Sequence, residues 1–267
     1  MSLTISAELQ ASCLQQTVQG AASLPIAIIG GSGLDDYPGA ETVAEISIPT
    51  PFSEQPVLLF QIRLPLATET LVYFLPRHGS EHSIAPHLIN YRANIWALKA
   101  LQIEKLIAVN AVGGISNELP PGSLALVNDV IDYSHSRLST FFDGLSYPLD
   151  HIDCSELFNA QMNQDIADLA AIPTGFVYGC TQGPRLETPA EIKRLKQDGC
   201  DLVGMTLMPE AALAAEANIP YVALAMVVNW AAGISSTPIT MDEIYSQLGS
   251  CTTQVRQIIE SYCVKMR

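Results

Sequence analysis

Pro25-Ile-Ala-Ile-Ile-Gly-Gly-Ser-Gly33 decides how this chain is read. A short apolar run stops at glycine, which marks a buried strand followed by a tight loop. Such a loop brings backbone N–H groups and the Ser32 hydroxyl to a strand end, where an anion can be held. A plain turn is the other reading of the same residues. The dinucleotide fingerprint lacks its third glycine, because Gly31-x-Gly33 runs on to Asp36. No Gly-Lys-Ser/Thr follows for a nucleotide P-loop.

The same punctuation recurs downstream. Runs at 57–63 and 69–75 predict paired strands. Residues 87–101 carry helical spacing, with Ile89, Ala93, Trp96, Ala97 and Ala100 on one face. A strand at 106–109 ends in Asn110-Ala-Val-Gly-Gly114, and another is expected at 124–131. Residues 136–156 are irregular, and a loop of that length is usually functional or an interface element. Then follow a helix at 159–170, a strand at 174–178 and a helix at 189–198. That last helix has Thr188 as N-cap and Pro189 near its first position. A strand at 202–205, a helix at 208–218, an apolar strand at 221–228 ending at Asn229, and a helix at 241–261 complete the chain. Strands alternating with helices predict an α/β protein with ligands near strand ends. One domain is expected over 25–267, after a frayed polar extension at 1–24.

Composition agrees with a packed enzyme-sized core. Apolar residues make up 48% of 267 residues and charged residues 15%, which argues against disorder. The formal net charge of −14 disfavours nucleic acid and anionic membrane as partners. It leaves room for a small anionic substrate in a locally positive site. No apolar stretch reaches the length of a membrane span, and residues 1–23 lack the build of a secretory signal. Six scattered cysteines form no CxxC pair and read as buried thiols of a reducing, cytoplasmic protein.

Several strand-end segments could carry chemistry. Arg77-His78-Gly79 sets a guanidinium, whose planar fork suits phosphate, beside an imidazole. An ordinary Arg-His pair is the alternative. His82 lies four residues beyond His78, but Gly79 interrupts the segment and the glutamate of a zinc HExxH is absent, so no metal is expected. Asn110 and Ala111 offer donors at a strand end, or a packing turn. Glu187 sits just before a helix, where it could equally serve the helix dipole. Glu210 falls in a first helical turn beside Met205-Thr206, and Asn229 could be a cap.

In order, Gly30-Gly-Ser-Gly-Leu34, Arg77-His-Gly79, Asn90-Tyr-Arg-Ala-Asn-Ile-Trp-Ala-Leu98, Gly183-Pro-Arg-Leu-Glu187, Gly204-Met-Thr-Leu-Met-Pro-Glu210 and Ala225-Met-Val-Val-Asn229 resemble the purine nucleoside phosphorylase family. The closer branch is the methylthioadenosine phosphorylase type, over about residues 26–248. The resemblance implies a single-domain fold around a mixed, partly barrel-like sheet, and a homotrimer with sites near subunit contacts. It implies attack of inorganic phosphate on the anomeric carbon of a purine nucleoside, without a cofactor. It places phosphate against Ser32, Arg77, His78, Asn110, Ala111 and Thr206. Met205 is expected under the sugar and Glu210 at the ribose hydroxyls. His82 is expected near phosphate or ribose, with its role open.

The base pocket departs from the methylthioadenosine pattern. That branch carries Asp where this chain has Asn229 and Ser where it has Glu187, whereas the 6-oxopurine phosphorylases resemble this chain at both points. Adenine presents an acceptor at N1, and hypoxanthine and guanine present a donor. A Glu187 carboxylate accepts from N1–H, and Asn229 donates to O6 or N7. At the 5′ end, Met241 and Ile244 stand where nucleoside-type enzymes have a histidine region, and either suits a methylthio group or core packing. His151 resembles a histidine that reaches a neighbouring subunit's 5′ site, or is plain surface. The combination predicts 5′-methylthioinosine as substrate. The alternatives are inosine/guanosine phosphorylase, methylthioadenosine phosphorylase, and a purine-binding protein without catalysis.

Overall fold

The computed structural model describes residues 3–18, 23–67, 70–145, 147–236 and 239–266. Strand β1 (Ser23–Gly30) is the expected run, and it is buried on both faces. Ala27 and Ile29 pack with Trp96 of α2 (Tyr91–Ala100), while Ile26 and Ile28 pack with Val255 and Ile259 of α6 (Met241–Lys265). A strand covered by helices on both faces reads as a continuous apolar run rather than an alternation.

β1 lies between two parallel neighbours, β4 (Leu71–Pro76) and β5 (Lys105–Gly114). On the β4 side the sheet continues through β3 (Ser53–Arg63) to β2 (Glu41–Thr50), both pairings antiparallel. On the other side it closes on itself. β5 pairs with β8 (Leu202–Gly204), β8 with β7 (Phe176–Cys180), β7 with β6 (Leu124–Asp132), and β6 with β9 (Tyr221–Trp230). β9 then returns to β5 in parallel register. The nine-stranded mixed sheet is therefore a closed five-strand ring with a four-strand extension. Helices α3 (Ala160–Ala170), α4 (Pro189–Gln197) and α5 (Leu207–Glu216) complete the domain.

Three expectations about elements are corrected. The helix expected from residue 87 starts at Tyr91, because Asn90 caps it by accepting from the Ala93 N–H at 3.0 Å. A short 3-10 turn precedes it at Pro86–Leu88. β2, not anticipated, is an edge strand whose buried residues are Ile46 and Ile48. The N-terminal segment does not fray over its described residues. α1 (Ala7–Leu14) is capped by Ser6 and buries Cys13, and the Gln16 amide brackets the Ser47 backbone at 2.9 and 3.1 Å. Residues 19–22, part of that extension, and residue 69, the expected first residue of the strand at 69–75, lie outside the described residues.

Candidate active site

The cleft lies where strands end. Gly31 and Ser32 follow β1, Arg77 and His78 follow β4, Ala111 to Gly113 belong to β5, and Met205 and Thr206 follow β8. Val228 and Asn229 come from β9, Glu187 from the segment before α4, and Ile244 and Leu248 from α6. Together they line one cleft with a cavity volume of about 180 Å³, open to solvent at the mouth.

Its anion-facing wall is built around Arg77, which is 1% exposed. Nε and Nη2 donate to the two oxygens of Glu210 at 2.7 and 2.8 Å, and Nη1 donates to the Val109 carbonyl at 2.8 Å. Three of the five guanidinium N–H groups are thus committed, and two remain for a ligand. Burial alone would lower the Arg77 pKa, but the Glu210 carboxylate outweighs it and moves the pKa up. Gly31 is required here, since a Cβ would lie 2.7 Å from Arg77 Nη1 and 2.8 Å from the Val109 oxygen.

His78 lines the same wall. Burial pulls its pKa down to about 4, against a smaller upward effect of the Ile84 carbonyl. The ring is therefore neutral at pH 7. Nδ1 lies 2.7 Å from the Ile84 oxygen, which assigns the proton to Nδ1 and leaves Nε2 an acceptor. Thr206 lines the cleft, and its hydroxyl accepts from Asn110 Nδ2 at 2.9 Å. That donation leaves the Thr206 proton free to point at an anion.

Glu187 and Asn229 line the same cleft. The Thr181 hydroxyl donates to Glu187 Oε1 at 2.6 Å. Asn229 Nδ2 donates to the Trp230 carbonyl at 2.7 Å, leaving one N–H and the side-chain oxygen. Glu187 is carried into place by the start of α4. There Thr188 and Glu191 form a reciprocal cap, with Glu191 Oε2 accepting from the Thr188 N–H at 2.7 Å.

The structure thus gathers Ser32, Arg77, His78, Ala111, Met205, Thr206, Glu187, Asn229 and Ile244 around one cleft. Five expected residues stand elsewhere. Glu210 is 1% exposed and behind Arg77, with Oε1 also accepting from the Tyr221 hydroxyl at 2.9 Å, so its oxygens do not face a ribose. Asn110 acts on Thr206 and does not line the cleft. His82 stacks on His78 at 4.6 Å between ring centroids and is held by Asp35. It lines an adjoining crevice that also contains Met241, Tyr245 and Ser32. Met241 is 54% exposed there. His151 is exposed, on the irregular loop.

Residues missed in the sequence include Thr181, Tyr221, Val109 and Arg137. Arg137 donates to the carbonyl oxygens of Thr181, Gln182 and Met208 and so ties the Glu187 loop to α5. Only Thr181, next to the QGPRLE stretch, had a local signal, because Tyr221, Val109 and Arg137 act on partners remote in sequence. Among the described residues no His/Cys/Asp/Glu cluster could hold a metal ion, and no helix is long and apolar enough to cross a membrane.

The chain is 47% identical over 227 residues to the "Probable S-methyl-5'-thioinosine phosphorylase" of Pseudomonas syringae pv. tomato, covering 83% of this chain and 91% of that one. It is 42% identical over 240 residues to the "Probable 6-oxopurine nucleoside phosphorylase" of Moorella thermoacetica, covering 88% and 90%. Among solved structures it superposes on methylthioadenosine phosphorylase from Schistosoma mansoni in complex with adenine. That match has a TM-score of 0.83 and 28% identity, over 91% of this chain and 92% of the other. The sequence pattern of the phosphorylase superfamily matches residues 25–263, and the chain belongs to that superfamily.

Proposed function

We propose that this protein cleaves 5′-methylthioinosine with inorganic phosphate, giving hypoxanthine and 5-methylthioribose 1-phosphate. The observation that carries the reading is one cleft lined by two chemically opposite sets of groups. In one set are Arg77 with two free N–H groups, the Thr206 and Ser32 hydroxyls, and the strand-end backbone around Ala111. In the other are the Glu187 carboxylate and the Asn229 amide. Relatives named for thioinosine and for 6-oxopurine substrates support the base assignment.

Phosphate held by the first set is aimed at the anomeric carbon, so attack is effectively intramolecular. A phosphate oxygen forms the new C1′–O bond as the C1′–N9 bond breaks, through an oxocarbenium-like sugar. The electron pair of the broken bond goes to the purine ring, which takes up from solvent the equivalent of the proton that phosphate gives up on forming its ester. Neutral His78 accepts at Nε2 and so can take a hydrogen bond from a protonated phosphate oxygen. Asn229 donates to the purine O6 or N7, where negative charge grows, and such donors stabilise the transition state more than the ground state. Glu187 accepts from N1–H. Met205 underlies the sugar.

Of the two apolar residues expected at the 5′ end, Ile244 faces the cleft, and it is assigned to the methylthio group. A homotrimer in which His151 reaches a neighbour's 5′ site, and residence in the cytoplasm, belong to the same reading. Phosphate-dependent cleavage of 5′-methylthioinosine, 5′-methylthioadenosine and inosine at matched concentration tests it. Methylthioinosine is expected to have the highest kcat/KM. A preference for methylthioadenosine overturns the base assignment, and a preference for inosine overturns the 5′ assignment.

A further inference from the structure

We propose that Thr181 is the positioning residue that turns Glu187 from a base contact into a discriminator between 6-oxopurines and 6-aminopurines. The inference rests on the base assignment above and adds a residue that assignment does not use.

Thr181 follows the last residue of β7, and its backbone is fixed before its side chain acts. Its N–H donates to the Gly204 oxygen at 2.8 Å, and its own carbonyl accepts from Arg137 at 3.2 Å. The Thr181 hydroxyl has one proton and two acceptors in reach, Glu187 Oε1 at 2.6 Å and the Gly204 oxygen at 3.3 Å. The shorter distance is that of a charge-assisted O–H···O⁻ bond, so the proton goes to the carboxylate. Oε1 is thereby committed, and Oε2 is left for the ligand.

The consequence concerns the wrong base more than the right one. An adenine N1 lone pair repels a carboxylate oxygen only if that oxygen cannot move away. Glu187 has somewhere to go. Besides the cleft it lines a second crevice, with Thr181 itself, Tyr133, His135, Gln182, Arg185 and Glu191. A glutamate free to rotate into that crevice would escape adenine at little cost, and selectivity would fall. Thr181, on the crevice side, ties Oε1 and keeps the carboxylate from turning further away from the base. Specificity then comes from an enforced mismatch as well as from a match.

The test compares wild type with Thr181→Val, which keeps the shape and removes the donor, Thr181→Ala as a second deletion of the hydroxyl, and Thr181→Ser, which keeps it. Each is assayed for kcat/KM on 5′-methylthioinosine and 5′-methylthioadenosine with phosphate. The selectivity ratio is expected to fall about tenfold or more in Thr181→Val and Thr181→Ala, with methylthioadenosine cleavage kept or raised. Thr181→Ser is expected to stay near wild type. If Thr181→Val and Thr181→Ala slow both substrates equally, Thr181 is merely structural and the inference falls while the base assignment stands. If wild type already prefers methylthioadenosine, the base assignment falls and this inference falls with it.

Discussion

Arg77 and Glu210 stand 133 residues apart in sequence and meet edge to edge, with Nε and Nη2 each on one carboxylate oxygen at 2.7 and 2.8 Å. Both side chains are excluded from solvent. The pair lets one wall of the cleft hold a buried guanidinium ready for an anion, with its orientation set before phosphate arrives. Breaking a buried pair from one side leaves an uncompensated charge, which costs about 3–5 kcal/mol. Glu210→Ala is therefore expected to lose about that much stability in denaturant unfolding. Glu210→Gln keeps one acceptor and is expected to lose less. If Glu210→Ala unfolds at the wild-type midpoint, the pair is not what fixes Arg77.

Lysine carries the charge of Arg77 without its fork. Arg77→Lys has three donors where the arginine has five, and it cannot satisfy Glu210, Val109 and phosphate together. The phosphate KM is expected to rise at least about tenfold, the equivalent of about 1.4 kcal/mol, while the nucleoside KM moves less. A phosphate titration at saturating nucleoside reads the difference. Equal rises in both values would place Arg77 outside the phosphate site.

His78 makes stability depend on pH. Its folded pKa is depressed from 6.5 to about 4 by burial, so the unfolded state binds the extra proton first on acidification. The stability it contributes is fully present above about 6.5 and is lost as pH falls through about 4. The slope in that window is at most about 1.4 kcal/mol per pH unit for one proton. Replacing His78 with Asn is expected to flatten this part of the curve. Unchanged acid sensitivity of that variant would assign the slope to other groups.

Asn229 is expected to act in the transition state. Asn229→Ala removes a donor to the departing base and should lower kcat by about 10²–10³-fold, with a smaller change in nucleoside KM. A rise in KM alone would make it a binding contact only.

Ile244 and Met241 separate two versions of the 5′ site. Ile244 lines both the cleft and the adjoining crevice, whereas Met241 lines the crevice alone and is half exposed. Ile244→Ala is expected to lower kcat/KM for methylthioinosine relative to inosine by about tenfold or more, in keeping with lost packing against a small apolar group. Met241→Ala should leave that ratio unchanged. The reverse result would place the methylthio group in the outer crevice.

The parts legible in the sequence were those whose physics is local. β1 and β9 are buried on both faces, so their apolar runs stand out, and the polar or glycine residues that end them mark the cleft. Thr188 announced its own helix through a cap three residues wide. What escaped was set by distance or by position at an edge. β2 packs only part of itself, so Ile46 and Ile48 give a weak alternation. Nothing near Glu210 says that its partner is Arg77 rather than a sugar. Asn110 reads as a phosphate donor until Thr206, 96 residues later, is found in front of it. Met241 and Ile244 share a helical face by spacing, but only the second reaches the cleft.

The five-strand ring imposes an order on how the protein comes into being. Ser32 and Arg77 leave the ribosome early, whereas β9, which closes the ring against β5 and carries Asn229, comes after residue 220. Until then the backbone of β5 at Leu106–Val112, later paired with β9, stands uncovered in the nascent chain, and such unpaired strands invite association. Arg77 is thus made early but waits for Glu210 to orient it and for Tyr221 of β9 to complete that pair, and chains cut short of β9 are expected to be protected by chaperones or lost to aggregation.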